Sequence, residues 1–217
     1  GHVQHNPPPR AEHLHADIFA NPIAVSVARA LLGRGINLSL YTGNTMLGHT
    51  TDAQPVHWDE YQLWPGLSAP PPPASLLVNI PLVDVGVENG ALELWPGTHH
   101  DVRSGDRLGQ GLLVPDEWLE ARRAEVPPVR VPLRRGALLL RDGRLWHRGT
   151  TNTTEHARPM LAMLYTAWWF RPFVIDFYSD AAPVLDASEV NVMARYRDAF
   201  DHHVWPPNWR LVPEPLD

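Results

Sequence analysis

The sequence contains no cysteine, which excludes disulfides, thiolate zinc sites and cysteine nucleophiles and leaves His, Asp and Glu as the side chains able to hold a metal. Lysine is also absent, since all 18 basic residues are Arg. No Schiff base can form, and a carboxylate ligand that needs a fixed cation must take it from Arg. No run of like charge occurs, and the net charge is −6, so the concentrated basic face needed by nucleic acid or an anionic membrane is missing. A small-molecule partner is the expectation. No stretch approaches the roughly 20 apolar residues that span a bilayer. The N-terminus has neither a basic nor an apolar leader region, and the protein is expected to be soluble and cytoplasmic.

What is present suits one packed domain. The 217 residues, 44% apolar and 19% charged, are too few for two comfortable cores, so residues 1–217 are read as a single domain. Asn21-Pro22 reads as N-cap and first turn of a helix over about 21–33, with Ile23, Val27 and Leu31 on its apolar face and Gly33 as its stop. From Ile36 onward, short apolar or alternating runs are closed by Gly, Pro, Asn or Asp. They predict strands near 36–41, 55–61, 76–83, 91–95, 129–133, 137–141, 145–148 and 159–169. Asp142-Gly143 reads as a two-residue hairpin turn. Helices are predicted over Asp116 to Ala124 and in a C-terminal segment about 188–200, with Ser188 as N-cap. Trp64 to Ala74, with prolines at 70–73, is a loop of polyproline character. Many short strands with little helix between them predict a mainly β sandwich or barrel. The double-stranded β-helix, a cupin-like jelly roll, is the version that houses small-molecule metal sites, here over about 36–170.

The segment Pro55-Val56-His57-Trp58-Asp59 puts an imidazole and a carboxylate two residues apart, and strand positions i and i+2 share a face. His147, after the Asp-Gly turn on another predicted strand, is the candidate third ligand. Two His and one carboxylate leave three positions open on an octahedral ion, the arrangement of non-haem iron oxygenases. Two of those positions suit a bidentate 2-oxo acid and the third suits dioxygen. A His-x-Asp pair alone is weak: His15-Ala16-Asp17 is another. Gln54, just ahead of His57, and Thr150, close after His147, are candidates for hydrogen bonds to a ligand His or to the 2-oxo acid. Tyr61 and Trp64 lead into the proline loop and are candidates for lining the substrate mouth. His99 and His100 read as part of a turn, His202 and His203 as surface or packing residues, and Arg134 and Arg135 as a solvated loop.

Taken together, His57-x-Asp59, the run Asn89-Gly90-Ala91-Leu92-Glu93-Leu94-Trp95-Pro96-Gly97-Thr98-His99, and Trp146-His147-Arg148-Gly149-Thr150-Thr151-Asn152 followed by Arg158-Pro159 resemble the phytanoyl-CoA dioxygenase family of iron(II)/2-oxoglutarate oxygenases. The resemblance covers about residues 36–170. It implies a distorted double-stranded β-helix and Fe(II) held by His57, Asp59 and His147, with 2-oxoglutarate and O2 as co-substrates. It also implies that Arg158, eleven residues after His147 (158 − 147 = 11), pairs with the distal carboxylate of 2-oxoglutarate, and that Asn79 lies near that molecule. Arg148, next to the ligand, should point away from the metal. The implied reaction is oxidation of a small-molecule metabolite, hydroxylation first, with release of succinate and CO2. Asp59 disfavours halogenation, in which Gly or Ala replaces that ligand. The resemblance does not imply a substrate, and no basic patch for CoA phosphates is present. Arg-only, Pro-rich usage looks like a GC-rich bacterial genome, which makes a bacterial natural-product intermediate the leading class. The alternatives are a non-redox cupin-type metal-dependent isomerase and a small-molecule-binding jelly-roll protein. Arg158 at the family spacing argues against the isomerase.

Overall fold

Strands dominate residues 1–170 and 173–200, the residues described by this computed structural model. The order is β1 (His2–His5), α1 (Ala16–Phe19), α2 (Pro22–Leu32), β2 (Asn37–Met46), β3 (Ser75–Pro81), β4 (Leu92–Leu94), α3 (Asp116–Glu125), β5 (Val129–Val131), β6 (Leu139–Asp142), β7 (His147–Gly149), β8 (Arg158–Thr166), β9 (Ile175–Tyr178), α4 (Ala182–Asp186), β10 (Asn191–Val192) and β11 (Ala194–Arg197). The larger sheet runs β1-β2-β8-β3-β6 with β10 also on β2, and the smaller runs β5-β4-β7. Their pairings are antiparallel except β10 on β2. This is a mainly β, cupin-like jelly roll. No helix among the described residues is long and apolar enough to cross a membrane.

Alternation decides which residues see the space between the sheets. Leu76, Val78 and Ile80 of β3 and Met163 and Tyr165 of β8 pack with Ala24, Val25, Ala28 and Leu32 of α2, and Leu140 of β6 joins them. The residues of opposite parity face the other way, where Met160 and Leu139 cluster with Ala91, Leu92 and Leu94 of the smaller sheet. Arg158 on β8, Asn79 on β3 and Arg141 on β6 share that inner parity.

Helix α2 has the expected ends but not the expected face. The Asn21 side chain accepts from the Ile23 and Ala24 amides, and Gly33 ends the helix at φ 86°, where a Cβ would be strained. Ile23 and Leu31, however, are 64% and 50% exposed. The buried stripe is built on Ala24 and Ala28, whose small side chains let the helix lie close to the sheet. Val27 does pack against the core, and Val25 and Leu32 complete the buried stripe.

Three further expectations are corrected. Residues 55–61 form no strand: His57 makes only isolated bridges, to Leu113 and His147, because Pro55 lacks a donor and the Asp59 and Glu60 amides both turn to Gly143 O. Asp142-Gly143 is not a hairpin, since β6 pairs with β3 and β7 with β4 in the other sheet. It is a corner between sheets, closed by Leu145 N to Asp142 O at 3.1 Å. The segment 188–200 holds strands β10 and β11, paired in parallel with β2 and β9, instead of a helix. Val190, Val192 and Tyr196 are β-formers, and an available strand edge outweighs a plausible N-cap. His202 and His203 lie outside the described residues. Helix α3 falls where the sequence places it.

Candidate metal centre

Around His57 and Asp59 the side chains still alternate without a ladder. Val56 and Trp58 are buried in an aromatic cluster with Trp95 and Trp146, and this packing turns His57 and Asp59 to the opposite side. Trp146 does the same for His147. Ligand atoms of His57, Asp59 and His147 then lie within 4.8 Å of one another. His57 Nδ1 is 2.8 Å from Pro55 O and His147 Nδ1 is 2.9 Å from Leu145 O. A carbonyl can only accept, so both Nδ1 atoms carry a proton and Nε2 is the atom each ring has left to offer a cation. His147 Nε2 is 3.3 Å from Asp59 Oδ2. Burial, followed by the Arg141 charge, pushes the His147 imidazole down to about 3, so it is neutral at pH 7. Burial acts to raise the Asp59 carboxyl, but the Arg141 charge outweighs it and holds the group well below the usual range. Two imidazoles and an ionised carboxylate are the donor set that a divalent, oxygen-activating metal accepts.

Arg158 is fully buried, at 0% exposure. Its Nη1 donates to Asn44 Oδ1 and its Nη2 to Gly90 O, both at 3.1 Å, and its Nε has no partner. No carboxylate among the described residues pairs with it, and burial lowers it to about 10. The half-buried His2 on β1 feels the charge of both Arg158 and His57, and burial first, then these, lower it to about 4. By strand register Arg158 shares its face of the sheet with Asn79 and with Arg141, which contacts Asp59, so it lies on the side that carries the candidate ligands. Its surroundings fit an anion.

The other predicted residues divide. Gln54 Oε1 accepts from Gly149 N at 2.9 Å and its Nε2 meets His2 Nδ1 at 3.2 Å, so it ties the His57 segment to β7 and β1. Thr150 uses its hydroxyl on Ala91 O at 2.7 Å. Buried Asn79 accepts from Arg141 Nε at 3.3 Å. Arg148 pairs with Glu93 at 2.8 Å, away from the cluster as expected. A cavity of about 340 Å³ is lined by Leu94, Pro96, His99, Leu140, Arg141 and Leu145, and Arg141 connects it to Asp59. Neither Tyr61 nor Trp64 lines it; Tyr61 packs edge-on to Trp58 at 5.9 Å, and Trp64 is half exposed.

Four residues escaped the sequence reading. Arg141 Nη1 is 2.6 Å from Asp59 Oδ2. Arg144 clasps Asp142, Gln62 and, in the proline loop, Pro71 O. Glu60, bonded by the Ser75 hydroxyl, is pushed up by burial to about 7. Strand parity with Leu139 could have flagged Arg141. Nothing local flags His2, whose place depends on β1 pairing with β2.

The family model described as Phytanoyl-CoA dioxygenase (PhyH) matches residues 2–160, most of the chain. The chain belongs to this family. Solved structures with a similar fold include EctD from S. alaskensis with bound Fe, at 21% identity and TM-score 0.54 over 83% of this chain and 66% of that one. Another is EctD from S. alaskensis with 2-oxoglutarate and 5-hydroxyectoine, at 23% identity and TM-score 0.52 over 65% and 48%. A third is AviO1 from Streptomyces viridochromogenes Tue57, at 24% identity and TM-score 0.51 over 69% and 59%. At these identities the likeness is one of fold, and the chain spans 48% to 66% of the length of these three structures.

Proposed function

We propose that this chain is a non-haem Fe(II)- and 2-oxoglutarate-dependent oxygenase that hydroxylates a small-molecule metabolite, a bacterial natural-product intermediate in the first instance. The observation that carries the reading is a fully buried Arg158 without a counter-charge among the described residues, set on the same side of the sheet as the His57, Asp59 and His147 cluster. A permanent cation in such a place is costly unless an anion answers it, and family membership supplies the anion as 2-oxoglutarate. Iron with 2-oxoglutarate and O2 supplies a two-electron oxidation with release of succinate and CO2. His57 and His147 offer Nε2, Asp59 offers a carboxylate oxygen, and the backbone carbonyls of Pro55 and Leu145 keep each imidazole in the ligating tautomer. Arg158 orients the distal carboxylate, a task for a planar guanidinium held at both ends by Asn44 and Gly90. The aromatic cluster of Trp58, Trp95 and Trp146 closes the far side to water.

Anaerobic Fe(II) plus 2-oxoglutarate should give the visible charge-transfer band of the chelate in the wild type, and His57→Ala, Asp59→Ala and His147→Ala should each abolish it. Substrate-dependent succinate release over a panel of small metabolites then finds the substrate. A wild-type protein that takes up no stoichiometric divalent ion would sink the reading.

A further inference from the structure

Arg141 sits where a metal ligand and a strand meet. Its side chain is 6% exposed and has the inner parity of β6. The guanidinium is held at two points by different parts of the chain: Nε donates to Asn79 Oδ1 at 3.3 Å on the neighbouring strand β3, and Nη1 lies 2.6 Å from Asp59 Oδ2. The second contact is a close ion pair without hydrogen-bond alignment. That same oxygen is the one 3.3 Å from His147 Nε2, so a single carboxylate oxygen faces both the cation and the edge of the ligand cluster. The 3.4 Å approach of Arg141 Nη1 to His147 Nδ1 is no hydrogen bond, because Nδ1 already donates to Leu145 O.

We propose that Arg141 is a positioning residue that acts through Asp59: it fixes the carboxylate and offsets its charge, so that the metal occupies a site with less net negative charge than two His and an Asp would give. The proposal rests on the metal reading above, since it concerns the same ligands. A cation beside a ligand carboxylate repels a bound metal ion, and it repels a trivalent ion more than a divalent one. Arg141 therefore weakens divalent binding and, more strongly, disfavours Fe(III) relative to Fe(II).

The test compares wild type, Arg141→Gln, Arg141→Lys and Asn79→Ala, with folding checked by thermal denaturation. Two quantities are read: the dissociation constant for Mn(II) by competition with a chelating dye, and the midpoint potential of the iron-loaded protein. Loss of an outer-shell partner typically costs about 10- to 100-fold in metal affinity; here the partner lost is a repelling cation, so the same scale is expected with the opposite sign. Arg141→Gln should bind Mn(II) about tenfold more tightly and show a lower potential; a tenfold extra gain for the trivalent ion corresponds to about 59 mV for one electron. Arg141→Lys keeps the charge and should stay near wild type in both. Asn79→Ala releases one of the two holds and should shift both quantities in the direction of Arg141→Gln, by less; this variant decides the matter if Arg141→Gln does not fold. An unchanged potential in every folded variant, or weaker Mn(II) binding in Arg141→Gln, overturns the proposal. A wild type that binds no metal overturns the functional reading instead, so the two failures are distinct.

Discussion

Arg158 shows at the residue scale how much one buried charge can commit a site to. It spends two donors on neutral oxygens, Asn44 Oδ1 and Gly90 O, and keeps its full charge unanswered by any described residue. Removing one partner of a buried charge pair typically costs about 3–5 kcal/mol, which is about two to three and a half decades in a dissociation constant. Arg158→Ala should therefore weaken 2-oxoglutarate binding by orders of magnitude in an anaerobic titration while Fe(II) affinity stays near wild type. Arg148→Ala breaks only the pair with Glu93 and should leave 2-oxoglutarate affinity unchanged. Equal affinity in wild type and Arg158→Ala would remove Arg158 from the co-substrate site. The candidate ligands were legible because they sit in short motifs; Arg141 was not, because its partners Asp59 and Asn79 come from other parts of the chain.

Among the elements, α2 and the β6–β7 corner mark the limits of pattern reading. The helix ends depend on neighbours in sequence, an Asn cap and a left-handed Gly, and local chemistry suffices to place them. Its buried face depends on how near the sheet lies. Ala28, fully buried against the sheet, is predicted to tolerate enlargement poorly: Ala28→Leu should cost about 1–3 kcal/mol by overpacking. Ile23→Ala, at an exposed position, should stay within about 0.5 kcal/mol of wild type. Urea denaturation of the two variants measures both, and the reverse order would mean that the helix packs on its Ile23 side. Asp142-Gly143 carries the local signal of a hairpin, yet its flanking strands belong to different sheets. Turn chemistry sets the bend, and the choice of partner strands is made elsewhere.

Across the whole molecule, the buried His147 and the half-buried His2 couple the site to stability. His147 is held down to about 3 and His2 to about 4, both below the ordinary value of 6.5, so the folded state takes up protons later than the unfolded chain. Their contribution is complete above about pH 6.5 and is lost as pH falls, through about 4 for His2 and about 3 for His147; the slope approaches about 1.4 kcal/mol per pH unit for the buried His147 and is smaller for the partly exposed His2, whose interactions water screens. Urea midpoints of chelator-treated protein should fall from pH 6.5 to 5, and His147→Gln should flatten that fall; parallel curves would show that His147 is not buried neutral. Asp59, whose folded value is also depressed, enters only below about 4. The sequence by itself determined which chemistries were open: without Cys or Lys, candidate metal ligands were limited to His and carboxylates and a buried cation to Arg; motif spacing pointed to His57, Asp59 and His147 as candidates, and the family resemblance pointed to Arg158. Short apolar or alternating runs closed by Gly, Pro, Asn or Asp pointed to a mainly β fold. Only the tertiary structure decided that His2 and Arg141 join them, that α2 buries Ala24, Val25, Ala28 and Leu32, and that Asn191–Val192 and Ala194–Arg197 form strands. Side-chain type and local spacing act over a few residues, whereas register and sheet order bring together positions more than a hundred residues apart.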